Sequence, residues 1–383
     1  MSYAMKMIGE ICTKITSGGT PKSTTAAFYH PKEIPWLKTG EVNYSRIYDT
    51  ENYISKEGLA RSSAKLIPVN SVIVAMYGQG DTAGRVAINK IPLCTNQACC
   101  NLIVNHAVAD YEYVFYALST LYEKLVSLKN GGAQPNLNAG IIKSIEIPFP
   151  NLKTQHRIAE ILSTYDNLIE NNRKQIALLE EAAQRLYREY FVDLRFPGHE
   201  DVKVIDGVPE GWREGTLGDV APFQRGKTIT KAQAHEGDIP VVAGGLEPAY
   251  YHNQANTAAP VITVSGSGAN AGFTRLYHVD VFASDCSFAD SETTPYLLFV
   301  YCFVKANKPR FDALQKGAAQ PHVYPKDINA LKLVIPTEEI LASFCKLVSP
   351  YFEKIRALQR QMKLSSEARD RLLPKLMRGE ITV

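Results

Sequence analysis

The sequence predicts an α/β (α+β) chain: a pseudo-twofold tandem repeat of two mixed α/β domains separated by two long antiparallel coiled-coil helices. Three observations predict it. Sliding the 383-residue chain against itself by 186 positions aligns its two halves. Each half carries short β-branched runs punctuated by Gly or Pro, and each closes on a stretch of helical apolar periodicity.

The repeat is visible first in a doubled loop, "GGAQPNLN" at 131–138 and "GAAQPHVY" at 317–324. At the offset of 186, Gln134 meets Gln320, Pro135 meets Pro321, and Pro150 meets Pro336. The match continues through Ser163/Ser349, Tyr165/Tyr351, Ile169/Ile355, Gln175/Gln361, Leu178/Leu364, Glu181/Glu367 and Arg185-Leu186/Arg371-Leu372. Upstream the register slips by two, so that "YGQGDTAG" (77–84) pairs with "SGSGANAG" (265–272). Further upstream "IGEI" (8–11) resembles "LGDV" (217–220) at an offset of 209, which makes the second copy the shorter one.

In chain order, residues 1–150 form the first globular domain. "SVIVAMY" (71–77) and "KSIEIPF" (143–149) read as strands, and "YEYVFYALSTLYEKLVSL" (111–128) has helical spacing. Residues 151–191 then form a long helix whose seam runs Ile158, Leu162, Tyr165, Ile169, Asn172, Ile176, Leu179, Ala183, Leu186, Tyr190. Residues 192–336 are the second domain, with strands in "APVITVSG" (259–266) and "NALKLVIP" (329–336) and a helix in "TPYLLFVYCFVKA" (294–306). Residues 337–378 are the second long helix, with a seam at Phe344, Val348, Tyr351, Ile355, Leu358, Met362 and Leu372, and 379–383 form a tail. Forty helical residues extend roughly 60 Å, and the two seams are expected to face each other. Asn172 reads equally as a buried polar residue that fixes register or as an Asn tolerated near solvent. Pro350 should kink the second helix or mark a later start, and Pro374 sits where a stop is expected.

Composition narrows the class. With 45% hydrophobic and 21% charged residues the chain can bury two or three cores, and no run approaches the roughly 20 apolar residues of a membrane span. The N-terminus lacks a signal-peptide core, so a cytoplasmic location is expected. Seven cysteines with no C-x-x-C pair fit a reducing compartment, and Cys94, Cys99 and Cys100 match no zinc spacing, so no metal is expected. Net charge is only +3: residues 1–150 hold 14 Lys+Arg against 11 Asp+Glu, and residues 192–336 hold 13 against 16. Nucleic-acid contact would depend on local clusters.

The plan of variable domain, long helix, variable domain, long helix resembles the specificity subunit of type I restriction-modification systems. The phrases that carry the likeness are "HRIAEILSTYDNLIENN" (156–172), "FPG" (196–198), "GVPEGWREGTLGDV" (207–220), the paired Ala-Gln-Pro loops and "RDRLLPKLMRGEI" (369–381). It spans nearly the whole chain and is specific for architecture, not for the bases read. The resemblance implies a non-catalytic, DNA-binding subunit that serves DNA methylation and defence against foreign DNA. Each domain would be a target recognition domain reading one half of an asymmetric bipartite site in double-stranded DNA, with the helices as a ruler. It implies two modification subunits methylating adenine at N6 with S-adenosylmethionine, and restriction subunits using ATP and Mg. This chain itself would hold no cofactor.

Within the domains, candidates follow from chemistry and position. The Gly-rich loops permit close backbone approach and offer Tyr77, Gln79, Asp81 and Thr82 in the first copy, and Ser265, Ser267 and Asn270 in the second. Lys22, Lys38 and Thr39, with Arg225, Lys227 and Thr228, suit phosphates or guanine edges. Gln134, Asn136 and Gln320 suit adenine, and His322 does so less specifically. Against each stands a solvated surface or a turn that merely needs Gly, Asn or Pro.

Catalysis finds no support. "GQGDTAG" departs from G-x-G-x-x-G, and there is no P-loop, G-x-S-x-G or H-E-x-x-H. The Asn-Pro-Pro-Tyr type motif of a base-flipping adenine methyltransferase is missing as well. The alternative from another class is a coiled-coil interaction scaffold that does not read DNA.

Overall fold

The computed structural model describes residues 3–129, 136–317 and 321–383. The chain divides into two compact units, Met1–Glu170 with Met362–Val383, and Asn171–Gln361. Both boundaries fall inside a long helix.

The first unit is built on a five-stranded sheet in the order Cys12–Ser17, Cys99–Val104, Val72–Ala75, Val86–Asn89, Arg46–Ile47. A four-stranded sheet follows the order Tyr53–Ile54, Ile34–Leu37, Leu93–Thr95, Leu66–Ile67, and Met5–Met7 pairs with Glu146–Pro148. Side chains alternate across a strand, so Val72-Ile-Val-Ala serves two cores at once. Val72 and Val74 join the helix-side core with Tyr113, Tyr116, Ile158 and Leu162, whereas Ile73 and Ala75 join the opposite core with Leu37 and Val42. A strand buried on both faces needs apolar residues at every position, and this one has them.

The second unit repeats the plan. Its main sheet runs Gln224–Arg225, Cys286–Asp290, Val261–Ser265, Thr274–Tyr277, with a three-stranded sheet of Tyr250–His252, Ile239–Val242, Phe282–Ala283. Arg213–Thr216 pairs with Lys332–Ile335, as Met5–Met7 does with Glu146–Pro148. Among the described residues, the second unit has no strand in the places of Arg46–Ile47 and Leu66–Ile67. Loss of these strands gives structural form to the shorter second copy.

The expected helices and strands differ in detail. The 111–128 stretch is two helices, Tyr111–Ser119 and Tyr122–Ser127, and the Thr120 hydroxyl donates to the Ala117 carbonyl at the end of the first. Only Glu146–Pro148 of 143–149 is strand, and its start belongs to the helix Ala139–Lys143, capped by Asn138.

The long helices are Leu152–Phe191 and Glu338–Met377, 40 residues each. Asn151 and Thr337, which are repeat equivalents, accept from Thr154 N and Ile340 N at the two starts. Pro350 neither delays the start nor interrupts the second helix, which is continuous through it. The ring is exposed, so the Lys346 carbonyl that it leaves without an N–H partner is on the solvent side. Pro374 lies within the last turns. The stop comes from Gly379 at φ 68°, with Glu380 N donating to the Lys375 carbonyl.

The helices pack antiparallel inside both units. In the first, Ile158 and Leu162 share a core with Leu376 and Met377; in the second, Ala183, Tyr187 and Tyr190 share one with Phe344, Val348, Phe352 and Ile355. Of the expected seam, Ile158, Leu162, Ile169, Asn172, Phe344, Val348, Ile355 and Leu358 are buried. Tyr165, Ile176, Leu179, Leu186, Tyr351, Met362 and Leu372 are half-buried. Tyr187 and Phe352, which were not on the expected seam, are buried instead, because both face a globular core as well as the opposite helix. Asn172, buried, donates from Nδ2 to Gln361 Oε1 at 3.0 Å.

Each unit fixes its helices by different chemistry. In the first, Arg46, its side chain 3% exposed, pairs with Glu112 and Glu170, each at 3.3 Å. Tyr116 donates to Asp166, which also pairs with Arg369. The repeat equivalents of Asp166 and Arg369 in the second unit are Phe352 and Ala183, and there Tyr301 meets Phe352 edge-on at 5.7 Å. The Asp166–Arg369 pair of one copy is an aromatic contact in the other, where the Tyr301 hydroxyl donates instead to Glu180 at 3.3 Å.

Candidate nucleic-acid interface

In the first unit the Gly-rich loop follows the buried strand Val72–Ala75 and needs Gly80 and Gly84 at φ 60° and 94°. Its neighbours are close. A side chain on Gly78 would come within 3.3 Å of Thr39 Oγ1, which places the Thr39–Glu41 turn beside the loop. Leu137 N donates to the Met76 carbonyl at 3.0 Å, bringing Asn136 to the same loop.

Tyr77 is half-buried, and burial raises its phenol pKa. Gln79 is exposed, while its carbonyl accepts from the Thr82 hydroxyl at 2.7 Å. Asp81 pairs with Arg85 at 2.6 Å, and the Arg85 hydrogen bond holds its carboxyl below the usual range. Arg85 also donates to Asn43 at 3.0 Å. Lys38 is exposed with its ammonium 5.4 Å from the Trp36 ring centre, and Trp36 in turn anchors Gly19 through a 3.0 Å bond. Lys22 stands on the exposed loop that follows Gly19.

The second unit gathers more of its candidates. Ser265 and Asn270 both donate to the Gly244 carbonyl, at 3.1 and 3.4 Å. Gly268 N donates to the Pro321 carbonyl at 3.0 Å, and Val323 N to the Gly266 carbonyl at 3.1 Å, so the doubled loop and the Gly-rich loop are joined. The Ser267 hydroxyl donates to Asp285, which also pairs with Arg225 at 3.1 Å. Lys227 and Thr228 are exposed beside Arg225, and His322 stacks on Tyr324 at 6.0 Å.

Two placements correct the sequence expectation. Ser265 is 3% exposed with its hydroxyl committed to the backbone, and Thr39 is 8% exposed, so both present little to a ligand. Gln134 and Gln320 lie outside the described residues.

The family model described as type I restriction modification DNA specificity domain matches residues 2–181 and 209–362. This chain belongs to that family. A type I restriction enzyme MjaIX specificity subunit from Methanocaldococcus jannaschii is 29% identical over 414 residues, covering 99% of this chain and 93% of that protein. The EcoR124I/EcoR124II specificity subunit from Escherichia coli is 30% identical over 194 residues, covering 50% of this chain and 47% of that protein. A crystal structure of a type I restriction-modification S subunit from M. genitalium superposes with a TM-score of 0.62 at 20% identity, covering 98% of this chain and 96% of that one. That likeness concerns the fold.

Within this specificity-domain scaffold, sequence reasoning missed Asp285, Gly244, Asn43 and Arg85. Arg85 reaches Asp81 four positions away, whereas Asp285 and Gly244 meet their loop candidates, and Asn43 meets Arg85, from distant segments, a relation that no local spacing encodes. Glycine was the one available signal: a side chain on Gly244 would come within 3.0 Å of the Ser267 carbonyl, and one on Gly266 within 3.2 Å of the Asp285 carbonyl. Both mark close approach of two backbones.

Proposed function

We propose that the chain is the DNA-recognition subunit of a type I restriction-modification complex, each unit reading one half of an asymmetric bipartite site. The observation that carries this reading is the pairing of a common scaffold with divergent loop chemistry. The same strand order recurs in both units, less two edge strands in the second, while the exposed residues are Gln79, Asp81 and Lys38 in one and Arg225, Lys227 and Thr228 in the other. Two related readers on shared helices suit half-sites spaced by about one DNA turn, roughly 34 Å. Family membership and the relatives named above support the role.

The subunit is non-catalytic in this reading. Two modification subunits dock on the helical parts and methylate adenine at N6 with S-adenosylmethionine, and restriction subunits add cleavage driven by ATP with Mg. Among the described residues no helix is long and apolar enough to cross a membrane, in keeping with work on cytoplasmic DNA.

The test is co-expression of this chain with a modification subunit, followed by mapping of N6-methyladenine in host DNA. A two-part asymmetric motif is the expected result. Binding to random duplex that is insensitive to salt, with no methylated motif, overturns the reading in favour of a protein scaffold.

A further inference from the structure

The two units differ most informatively at one corner of their shared scaffold. In the first unit Gly18 N donates to the Cys99 carbonyl at 3.1 Å, and in the second Gly226 N donates to the Cys286 carbonyl at 2.8 Å. These bonds sit at the same place in the main sheet, where Cys12–Ser17 lies beside Cys99–Val104 and Gln224–Arg225 lies beside Cys286–Asp290. The residue before each donor glycine is Ser17 in one unit and Arg225 in the other. The residue before each acceptor cysteine is Ala98 in one and Asp285 in the other. An arginine and its carboxylate partner are therefore present together in the second unit and absent together from the first, on a retained backbone frame.

The frame around the pair is rigid. A side chain on Gly226 would come within 2.5 Å of the Ala283 and Ser284 carbonyls, so this backbone runs against its neighbour at a distance only glycine permits. Gly266 N donates to the Asp285 carbonyl at 3.2 Å, and Asp285 is held on both oxygens: Oδ2 accepts from the Ser267 hydroxyl and Oδ1 from Arg225 Nη2 at 3.1 Å. Arg225 itself is about half exposed, its side chain 51% accessible. A guanidinium has five N–H donors in a planar fork, so one bond to a carboxylate orients it while donors remain for a ligand.

An ordinary exposed ion pair has little energetic worth and needs no such support. Here a hydroxyl of the Gly-rich loop and a guanidinium from a strand end converge on the carboxylate, and its arginine stands beside Lys227 and Thr228, which are also exposed. Bidentate arginine on O6 and N7 of guanine is the commonest specific contact in the major groove, and it requires an orientation fixed in advance. In the first unit the nearest arginine to the Gly-rich loop, Arg85, is already shared between Asp81 and Asn43 and is 22% accessible.

We infer that Arg225, oriented by Asp285 and Ser267, reads a guanine in the half-site recognised by the second unit, and that the first unit has no equivalent reader at that corner. The assignment rests on the DNA-recognition role proposed above. Arg225 is the specificity residue, and Asp285 is a positioning residue that acts through it.

The experiment uses the full chain with its modification subunit in a host whose methylated motif is mapped. Wild type is expected to give a two-part motif with an invariant guanine in one half. Arg225→Ala should relax that single position, lowering discrimination there roughly tenfold or more, and leave every other position and the gap unchanged. Asp285→Asn should relax the same position to a smaller degree, and Arg225→Lys should not restore it, since an ammonium cannot form the planar pair. Uniformly weaker methylation by Arg225→Ala with an unchanged motif makes Arg225 a phosphate contact and overturns the assignment alone. A wild-type complex with no bipartite motif overturns the recognition role, and the assignment with it.

Discussion

His278 follows the strand Thr274–Tyr277 and packs near Phe352 of the second long helix, their rings 6.5 Å apart. Burial, with the positive charge of Arg356 nearby, pushes its imidazole down from an ordinary 6.5 to about 4. The unfolded chain therefore takes up this proton before the folded one does, so the second unit loses stability as pH falls from about 6.5 to about 4. His278→Gln should remove this part of the pH dependence, and the variant should gain on wild type when urea midpoints at pH 7.5 and 4.5 are compared. Trp212, in the core of this unit, reports the transition in a Trp36→Phe background. Arg46 makes the opposite kind of residue-scale demand, because its charge is needed inside the first unit. Arg46→Ala leaves Glu170 without its buried cation and Glu112 with Lys90 alone, and is expected to cost about 3 kcal/mol, read as a lowered midpoint of the Trp36 transition. No local pattern forecast either residue. Their settings are created by contacts across 66 and 124 positions for Arg46, and by the fold of a different element for His278.

The long helices were the most legible elements, because apolar residues recurring at three and four positions can be satisfied by little else at that length. Their capping residues, Asn151 and Thr337, were legible too in principle, being a matched pair at the repeat offset. What periodicity could not supply was the second face of each helix. Tyr187 and Phe352 are buried by globular cores, so a seam counted for two helices alone misplaces them by one position. Pro350 belongs to this scale. Tolerated because its ring is exposed, it still deprives the Lys346 carbonyl of an N–H partner in the helix interior. Pro350→Ala should therefore stabilise the second unit by about 1–3 kcal/mol, measured by thermal unfolding, with binding unchanged. Among strands, the β-branched runs 71–77 and 259–266 were readable, whereas two-residue strands such as Arg46–Ile47 and Gln224–Arg225 were not. At that length the partner strand makes the element.

At the level of the whole molecule, the duplication was legible as a fixed offset, and the ordered contents of the two copies follow from it. The candidate interface was legible only as a neighbourhood: glycines and doubled loops marked where chains approach, and the fold decided which side chains were left outside. If the helices are a ruler, adding four residues, about one turn, to either long helix changes the gap between half-sites and leaves the bases of both alone. Methylation mapping that shows altered half-sites around the original gap counts against it. The different chemistry by which each unit grips its helices carries a last consequence, for how such a gene can be reshuffled. The repeat equivalents of Asp166, Glu170 and Arg369 are Phe352, Arg356 and Ala183. Transplanting residues 1–150 to the second position would set Arg46 against Arg356 in place of Glu170, with Glu112 alone to balance it. The duplicated halves have thus stopped being interchangeable parts, and new pairings of readers are expected to enter by exchange at the same position in another chain of this kind.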